Sequence, residues 1–274
     1  MAHVLKKPRK PEETLIDRHK KFINLNKNAP EQLWKNTGFQ VVMSAHNANE
    51  WLTRALESVE RSMSGLNWVF LLANDGSTDE TQDRIDHNKK YCSADVFESH
   101  YFSKAESAAQ AKNRIIKEIN HYRKDYPAIL LCDADDEVHD GKARGLISFA
   151  KKHNKKFVVG DYTIEAETPK EWIRTTHQAK KNVMNKRFGP WATLMHESLI
   201  PEDGKLFHEG LMAHEDLLLW EEMHKAGIFA CPANGVETYT YFRRKGSLSF
   251  NEDPGVRDKL WAEYKLLSKE VYKL

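Results

Sequence analysis

The chain has 274 residues, of which 40% are hydrophobic and 30% charged. That is long enough for one large domain or two fused halves around a real core. No apolar run approaches the ~20 residues of a membrane helix, which excludes an integral membrane protein of the helical kind. Cys92, Cys132 and Cys231 are odd in number, far apart and without a Cys-x-x-Cys pair, which argues against structural zinc and a disulfide framework.

The formal net charge of +2 is uneven. Residues 1–38 carry nine Lys/Arg against four Asp/Glu, leaving 33 against 36 for the rest. The positive charge is therefore local to an N-terminal extension. Such an extension is read first as a solvated arm and second as a contact for a polyanion, nucleic acid or an anionic membrane surface. Met1 to Lys10 lacks the apolar stretch of a secretory signal. With the cysteine pattern, this makes a reducing cytoplasm the expected location.

In chain order, Glu12 to Leu25 is expected to form an amphipathic helix with Leu15, Ile16, His19, Phe22 and Ile23 on its inner face. The main domain is expected from residue 39. Phe39 to Ala45 is the first strand, Trp51 to Met63 a helix, and Trp68 to Ala73 the second strand. Asn74-Asp75-Gly76 is a tight turn, and Ser77-Thr78-Asp79-Glu80 is read as a capping box opening a helix. Asp95 to Glu98 is a short third strand and Glu106 to Tyr122 a helix. A strand at Ile129 to Cys132, a helix at Lys142 to Lys152 and a strand at Lys156 to Tyr162 complete the series.

Strands alternating with helices at this spacing imply βαβ crossovers and a mostly parallel sheet. Past Glu165 the alternation stops. Trp172 to Thr176 reads as a strand, Phe188 to Ala192 as a constrained loop and His214 to Ala226 as a helix. Val236 to Arg243 reads as a strand. Val256, Leu260, Tyr264, Leu267 and Val271 recur at helical spacing, so residues 251–274 are expected to be a helix packed on the body.

The chemistry gathers around Ile129-Leu130-Leu131-Cys132-Asp133-Ala134-Asp135-Asp136. A buried strand ends here in three carboxylates, where open α/β sheets collect ligands. Crowded carboxylates attract a hard divalent cation, and Mg²⁺ or Mn²⁺ bridges phosphates. The alternative is a solvated acidic turn leading into the next helix. Three other polar clusters fall in order in the same alternating half: Ala45-His46-Asn47, Asn74-Asp75 and Lys112-Asn113. His208 and His214 beside Glu209 and Glu215 lack the His-Glu-x-x-His spacing of a zinc helix.

Taken together these pieces resemble the inverting family 2 glycosyltransferases with a GT-A fold. The matching residues are Ser44-Ala45-His46-Asn47, Asn74-Asp75-Gly76-Ser77-Thr78-Asp79, Ala111-Lys112-Asn113-Arg114, Leu131 to Asp136, His214-Glu215-Asp216 and the basic stretch from Tyr241 to Ser249. The resemblance spans about residues 39–250, with a nucleotide-binding half at 39–164 and an acceptor half at 165–250. It implies a Rossmann-like α/β sheet and transfer of a sugar from a nucleotide-sugar, most simply a UDP-sugar, to an acceptor hydroxyl.

By the same resemblance Ala45, Asn47 and Asp75 hold the base, and Lys112 and Asn113 face the ribose or diphosphate. Asp133 and Ala134 line the donor site, Asp133 against ribose or metal, and Asp135 is the direct ligand of Mn²⁺ or Mg²⁺. Asp216 is the general base, Glu215 positions a substrate, and Arg243, Arg244 and Lys245 close over the diphosphate. Trp191 and His214 lie on the acceptor side. Apart from the resemblance, Trp191 and Trp172 are candidate sugar platforms, with burial in the core the expected role for at least one of them.

The chain departs from the family pattern in having Ala45-His46 where Pro and Tyr are common, Lys112 where Arg is usual, and Lys245 where His often sits. No Gln-x-x-Arg-Trp pattern follows Asp216, so single addition is expected rather than polymerisation. The acceptor class stays open among glycan, lipid-linked sugar, protein and modified nucleic acid. Two other readings stand beside this one: a non-catalytic nucleotide-sugar or glycan-binding module, and a nucleotidyltransferase. The latter would normally show a Gly-rich, basic loop after the first strand.

Overall fold

The computed structural model describes residues 13–28, 30, 32–105, 107–168, 171–186, 188–211, 213–244 and 254–274. Helix α1 (Leu15–Lys27) opens on a reciprocal cap, in which the Thr14 hydroxyl accepts from the Asp17 N–H and the Asp17 carboxylate from the Thr14 backbone. Phe22 is buried as expected, but Ile16 is exposed. Arg18 is buried instead. Its guanidinium meets both Glu222 carboxylate oxygens at 2.7 Å and the carbonyls of Lys205 and Leu206. An apolar stem and a fully paired charge let an arginine replace an aliphatic side chain on an inner face.

Four parallel strands form one half of the sheet: β1 (Phe39–Ala45), β2 (Trp68–Asp75), β3 (Val96–Phe102) and β4 (Ala128–Asp133). The helices α2 (Asn49–Met63), α3 (Thr81–Lys89) and α4 (Ala108–Ile116) make the crossovers. Strands β1 and β2 are buried almost end to end, which is why they read as continuous apolar runs rather than alternating ones. Ser44 stands opposite both Ala73 and Asp133, and Ala45 opposite Asn74. The carboxyl ends of these three strands therefore share one edge.

Beyond β4 come β5 (Glu137–Val138), α5 (Lys142–Lys152), β6 (Phe157–Glu167), β7 (Trp172–His177), α6 (Ala179–Asn185) and β8 (Thr193–His196). They are followed by α7 (Glu215–Lys225), β9 (Cys231–Arg243) and α8 (Pro254–Lys273). Among the described residues nine strands form one sheet in the order β3-β2-β1-β4-β8-β6-β9-β5, with β7 paired to β6. Parallel pairings carry most of its length. The exceptions are β8, antiparallel to both β4 and β6, and the β6–β7 and β5–β9 pairs. This is the α/β architecture expected from the alternation, with Val271 of α8 packed in one cluster with Leu218 of α7 and the preceding Leu211.

Several local expectations needed correction. Strand β3 runs on to Phe102, and β8 follows directly on the constrained loop at Phe188 to Ala192, its four residues too few to show a strand's alternation. The capping box at Ser77 to Glu80 does not form. Helix α3 starts at Thr81 with no side-chain cap from Glu80, because Asp79 instead accepts from the Thr81 and Asn49 backbones. That tertiary bond ties α3 to the start of α2. The predicted helix from Glu106 is capped by Ser107 and tightens into a 3₁₀ turn at Lys117–His121.

Candidate active site

Hydrogen bonds tie the turns after β1 and β2 together. Asn47 adopts the left-handed conformation (φ 49°) that its short polar side chain tolerates. Its Oδ1 accepts from the Thr78 N–H at 2.8 Å, while its own N–H donates to Ser77 Oγ at 3.0 Å. His46 Nδ1 lies 2.8 Å from the Asp75 carbonyl. The Asp75 carboxylate accepts from the Ala105 N–H at 3.0 Å and pairs with Arg114 at 3.4 Å. Burial pushes its pKa up, and those two donors oppose the shift. Gly76 (φ 63°) makes the turn possible, since a Cβ there would lie 2.5 Å from the Lys104 nitrogen. Ala45 and Ala134 are buried and offer only backbone and packing.

The acids at the end of β4 divide into different environments. Tyr239 clamps the strand end, accepting the Asp133 N–H at 2.8 Å. Burial raises the Asp133 pKa, with Lys112 opposing and Asp135 and Glu215 adding to the rise. The Asp135 carboxylate is half-exposed and pairs with Arg244, whose guanidinium lies 4.0 Å over the Trp51 ring. Asp136 is buried and accepts the Phe242 N–H through Oδ1 at 2.8 Å. Its Oδ2 has no hydrogen-bond partner among the described residues, and burial followed by repulsion from Asp135 and Asp133 lifts its pKa well above normal.

The opposite wall is the N-terminus of α7, entered through His214 in a left-handed turn (φ 63°). Glu215 is buried and takes a 2.8 Å bond from Lys112 Nζ. Burial works against both charges, yet each holds the other ionised. The Glu215 pKa falls below its ordinary value, and the Lys112 pKa rises through Glu215, Asp133 and Asp216. Asp216 next to them is pushed up to about 7, first by burial and then by the Glu215 charge. Its charge also reaches Tyr162, whose hydroxyl pKa is raised to about 12, mainly by burial. A narrow cavity beneath joins Ser44, Lys112, Asp133, Trp191 and Phe207.

The fold thus brings Lys112, Asp133, Glu215 and Asp216 into one electrostatic cluster, with Asp135 and Arg244 on its rim. Other candidates are engaged differently. Both ends of the Asn113 amide are bound to the Phe207 backbone, at 2.8 Å each, and its Nδ2 also meets Glu209, so it fixes that segment. Trp191 is buried between Tyr239 and Tyr241 and edge-on to Tyr162, so of the two tryptophans it is the one that takes the core role. Trp172 is half-exposed. The His214 ring packs on Trp261 of α8, centroids 4.2 Å apart. Arg243 is exposed, and Lys245, with the rest of the basic stretch to Ser249, lies outside the described residues.

Sequence reasoning missed Arg54 and Trp51. One turn apart on α2, they reach the acidic turn from the far side: Arg54 donates to the Asp135 carbonyl at 3.1 Å and pairs with Glu137. Its guanidinium also lies 4.0 Å over Phe242. Only their i, i+3 spacing hinted at a shared face. Among the described residues no group of three or more His, Cys, Asp or Glu is arranged to hold a metal ion, and no helix is long and apolar enough to cross a membrane.

A parallel α/β half whose strand ends carry an acidic turn, faced by a helix N-terminus, is the architecture of a GT-A type fold. The model of glycosyl transferase family 2 matches residues 40–200, and the chain belongs to that family. Among solved structures, the 1–349 fragment of S. aureus TarS in complex with UDP-GlcNAc is similar at 15% identity and a TM-score of 0.61, covering 84% of this chain and 65% of that one. The same fragment without ligand gives a TM-score of 0.56 over 75% of this chain and 60% of that one, also at 15% identity. The chain thus spans under two-thirds of the length of those structures. A comparison with curated proteins finds no match.

Proposed function

We propose that this glycosyltransferase moves a sugar from a UDP-sugar to an acceptor hydroxyl with inversion, Asp216 acting as general base and Mn²⁺ or Mg²⁺ assisting. The observation that carries this reading is the Lys112 ammonium. It pairs with Glu215 on α7 and also feels the charges of Asp133 and Asp216, so donor-side and base-side acids face one small space. UDP as the nucleotide is supported by the TarS structures, which hold UDP-GlcNAc and UDP, and by the Asp75 carboxylate at the β2 end, suited to a ring N–H.

The residues present fit a hard divalent cation. Asp133 and Asp135 offer oxygen donors only, and the buried Asp136 Oδ2 beside them has no hydrogen-bond partner among the described residues. With no three-residue protein cage among the described residues, Asp135 and Asp133 would hold the ion together with the donor's diphosphate, the usual arrangement for Mg²⁺ and its kin. When bound, such an ion neutralises charge growing on the leaving diphosphate.

The chain's own groups supply the remainder. Arg244, moved from Asp135, would lie over the diphosphate, and Lys112 would keep Glu215 ionised. Asp216 would take the acceptor's proton as its oxygen attacks on the face opposite the leaving group. A pKa near 7 suits that role, because a base poised near the working pH combines availability with driving force.

The test is UDP release from UDP-sugars with and without Mn²⁺, for the intact chain and for Asp216→Asn. Release that depends on the metal and falls about 10²–10⁴-fold in the variant, with UDP binding retained, is the expected result. Binding without turnover for any sugar donor would favour a non-catalytic module instead.

A further inference from the structure

Two guanidinium groups converge on Asp135, and only one of them belongs to a helix. We infer that the other, Arg244, stands on the Asp135 carboxylate as a built-in counter-cation, seated on Trp51, so that the chain binds Mn²⁺ or Mg²⁺ tightly only together with a nucleoside diphosphate. The inference rests on the reading above, in which Asp135 is the metal ligand, and concerns what occupies that ligand before the donor arrives.

Arg54 holds the acidic turn from within α2. It donates to the Asp135 carbonyl at 3.1 Å, pairs with Glu137 at 3.1 Å and covers the Phe242 ring at 4.0 Å. These contacts leave the Asp135 carboxylate untouched. Arg244 takes the carboxylate itself, and its Nη2 also lies 3.3 Å from the Asp135 carbonyl. Its guanidinium lies 4.0 Å over the Trp51 ring, and its charge reaches the buried Asp136 as well. A guanidinium donates in its plane and stacks through its face, so Trp51 supports Arg244 without competing for Asp135.

This contact is built to be given up. The pairing of β9 with β6 ends at Arg243, opposite Ala166, so Arg244 stands just past the last rung of the ladder. The Asp135 side chain is 39% exposed, and ion pairs that water reaches are weak. A divalent ion arriving alone must still displace Arg244, and no group of three acids or other metal-binding side chains is gathered there among the described residues to reward it. A diphosphate alters both sides of that balance. It adds oxygen ligands for the ion and gives Arg244 another anion to bind. Metal and nucleotide therefore strengthen each other, and linkage requires the same factor in either direction.

The experiment measures Mn²⁺ binding to the full chain from the electron paramagnetic resonance signal of the free ion, with and without UDP. Calorimetry measures UDP binding with and without Mn²⁺. Arg244→Met, Trp51→Leu and Asp135→Asn are compared with the unaltered chain, and far-UV circular dichroism and melting temperatures confirm folding. In the unaltered chain UDP should tighten Mn²⁺ tenfold or more, and Mn²⁺ should tighten UDP equally. Without UDP, Arg244→Met should bind Mn²⁺ about tenfold more tightly than the unaltered chain, and Trp51→Leu several-fold more tightly. Trp51→Leu leaves the net charge unchanged, so its gain separates an unseated arginine from a simple loss of positive charge. Asp135→Asn should lose Mn²⁺ binding in both conditions. Should Trp51→Leu not fold, Arg244→Lys, which keeps the charge and loses the planar fork, serves in its place with the same expected gain.

Equal Mn²⁺ affinity in Arg244→Met and the unaltered chain without UDP overturns the inference while leaving the transferase reading intact. So does a gain in Arg244→Met that the charge-conserving variant does not share, or tight Mn²⁺ binding by the unaltered chain alone. Absence of Mn²⁺ binding from every protein, with UDP present, would instead remove the metal from the proposed function and this inference with it.

Discussion

The pH dependence of turnover offers the sharpest test, because two substitutions in one cluster move it in opposite directions. Asp216 is pushed from an ordinary 3.8 to about 7, a difference of about 3 units or ~4 kcal/mol against ionisation. A base must be deprotonated to act, so kcat/KM should rise with pH and level off above about 7. Burial contributes most to the shift and the Glu215 charge next, while Lys112 opposes it.

Glu215→Gln removes the like charge and leaves Lys112 to Asp216 and Asp133. Two unit charges ~5 Å apart in a medium of effective dielectric ~20 interact by roughly 3 kcal/mol. Allowing for relaxation, the acid limb should fall by about 1–2 units. Lys112→Met removes the opposing cation and should raise the limb by about 1 unit or more. UDP release from a UDP-sugar between pH 4.5 and 9, with melting temperatures to confirm folding, reads both. Unmoved limbs, or limbs displaced in the same direction, would refute the assignment of Asp216 as the titrating base.

Four further outcomes follow. Because the raised pKa keeps Asp216 protonated in the folded state while the unfolded chain ionises, this group's contribution to stability falls as pH rises from about 4 to 7. Asp216→Asn should therefore be more stable than the parent at pH 8, by about 2–4 kcal/mol, and equal to it at pH 3.5, as denaturant titration will show. Arg18→Met strands the buried Glu222 carboxylate and should cost about 3–5 kcal/mol, most of it recovered in Arg18→Met with Glu222→Leu. Gly76→Ala forces a Cβ into the Lys104 backbone at a positive φ, and should weaken UDP binding by calorimetry while shifting the melting temperature down. Asp135→Asn should abolish the Mn²⁺-dependent part of the UDP thermal shift and leave the metal-free part, since ligand binding stabilises only through the contacts it makes.

Much of the architecture could be read along the chain because it is local. The apolar runs at 39–45, 68–73 and 129–132 announce buried parallel strands, and the helical stripe at 256–271 announces α8, since periodicity is a property of neighbouring residues. The polar residues at strand ends could likewise be picked out, because a parallel sheet brings those ends to one edge whatever the loops do. What only the tertiary structure decided is which of them meet.

Asn113 and Lys112 are adjacent in sequence, yet one is tied to the Phe207 backbone and the other faces three acids. Ile16 and Arg18 exchange inside for outside because Glu222, some 200 residues away in the chain, is there to pair the charge. Trp191 is buried because Tyr239, Tyr241 and Tyr162 converge on it. Ionisation belongs to the same class: an aspartate at a helix N-terminus reads as readily charged, and only the burial and the Glu215 carboxylate beside it raise Asp216 to about 7. Local pattern sets what each segment becomes, whereas charge pairing and desolvation depend on distances that only the packed chain defines.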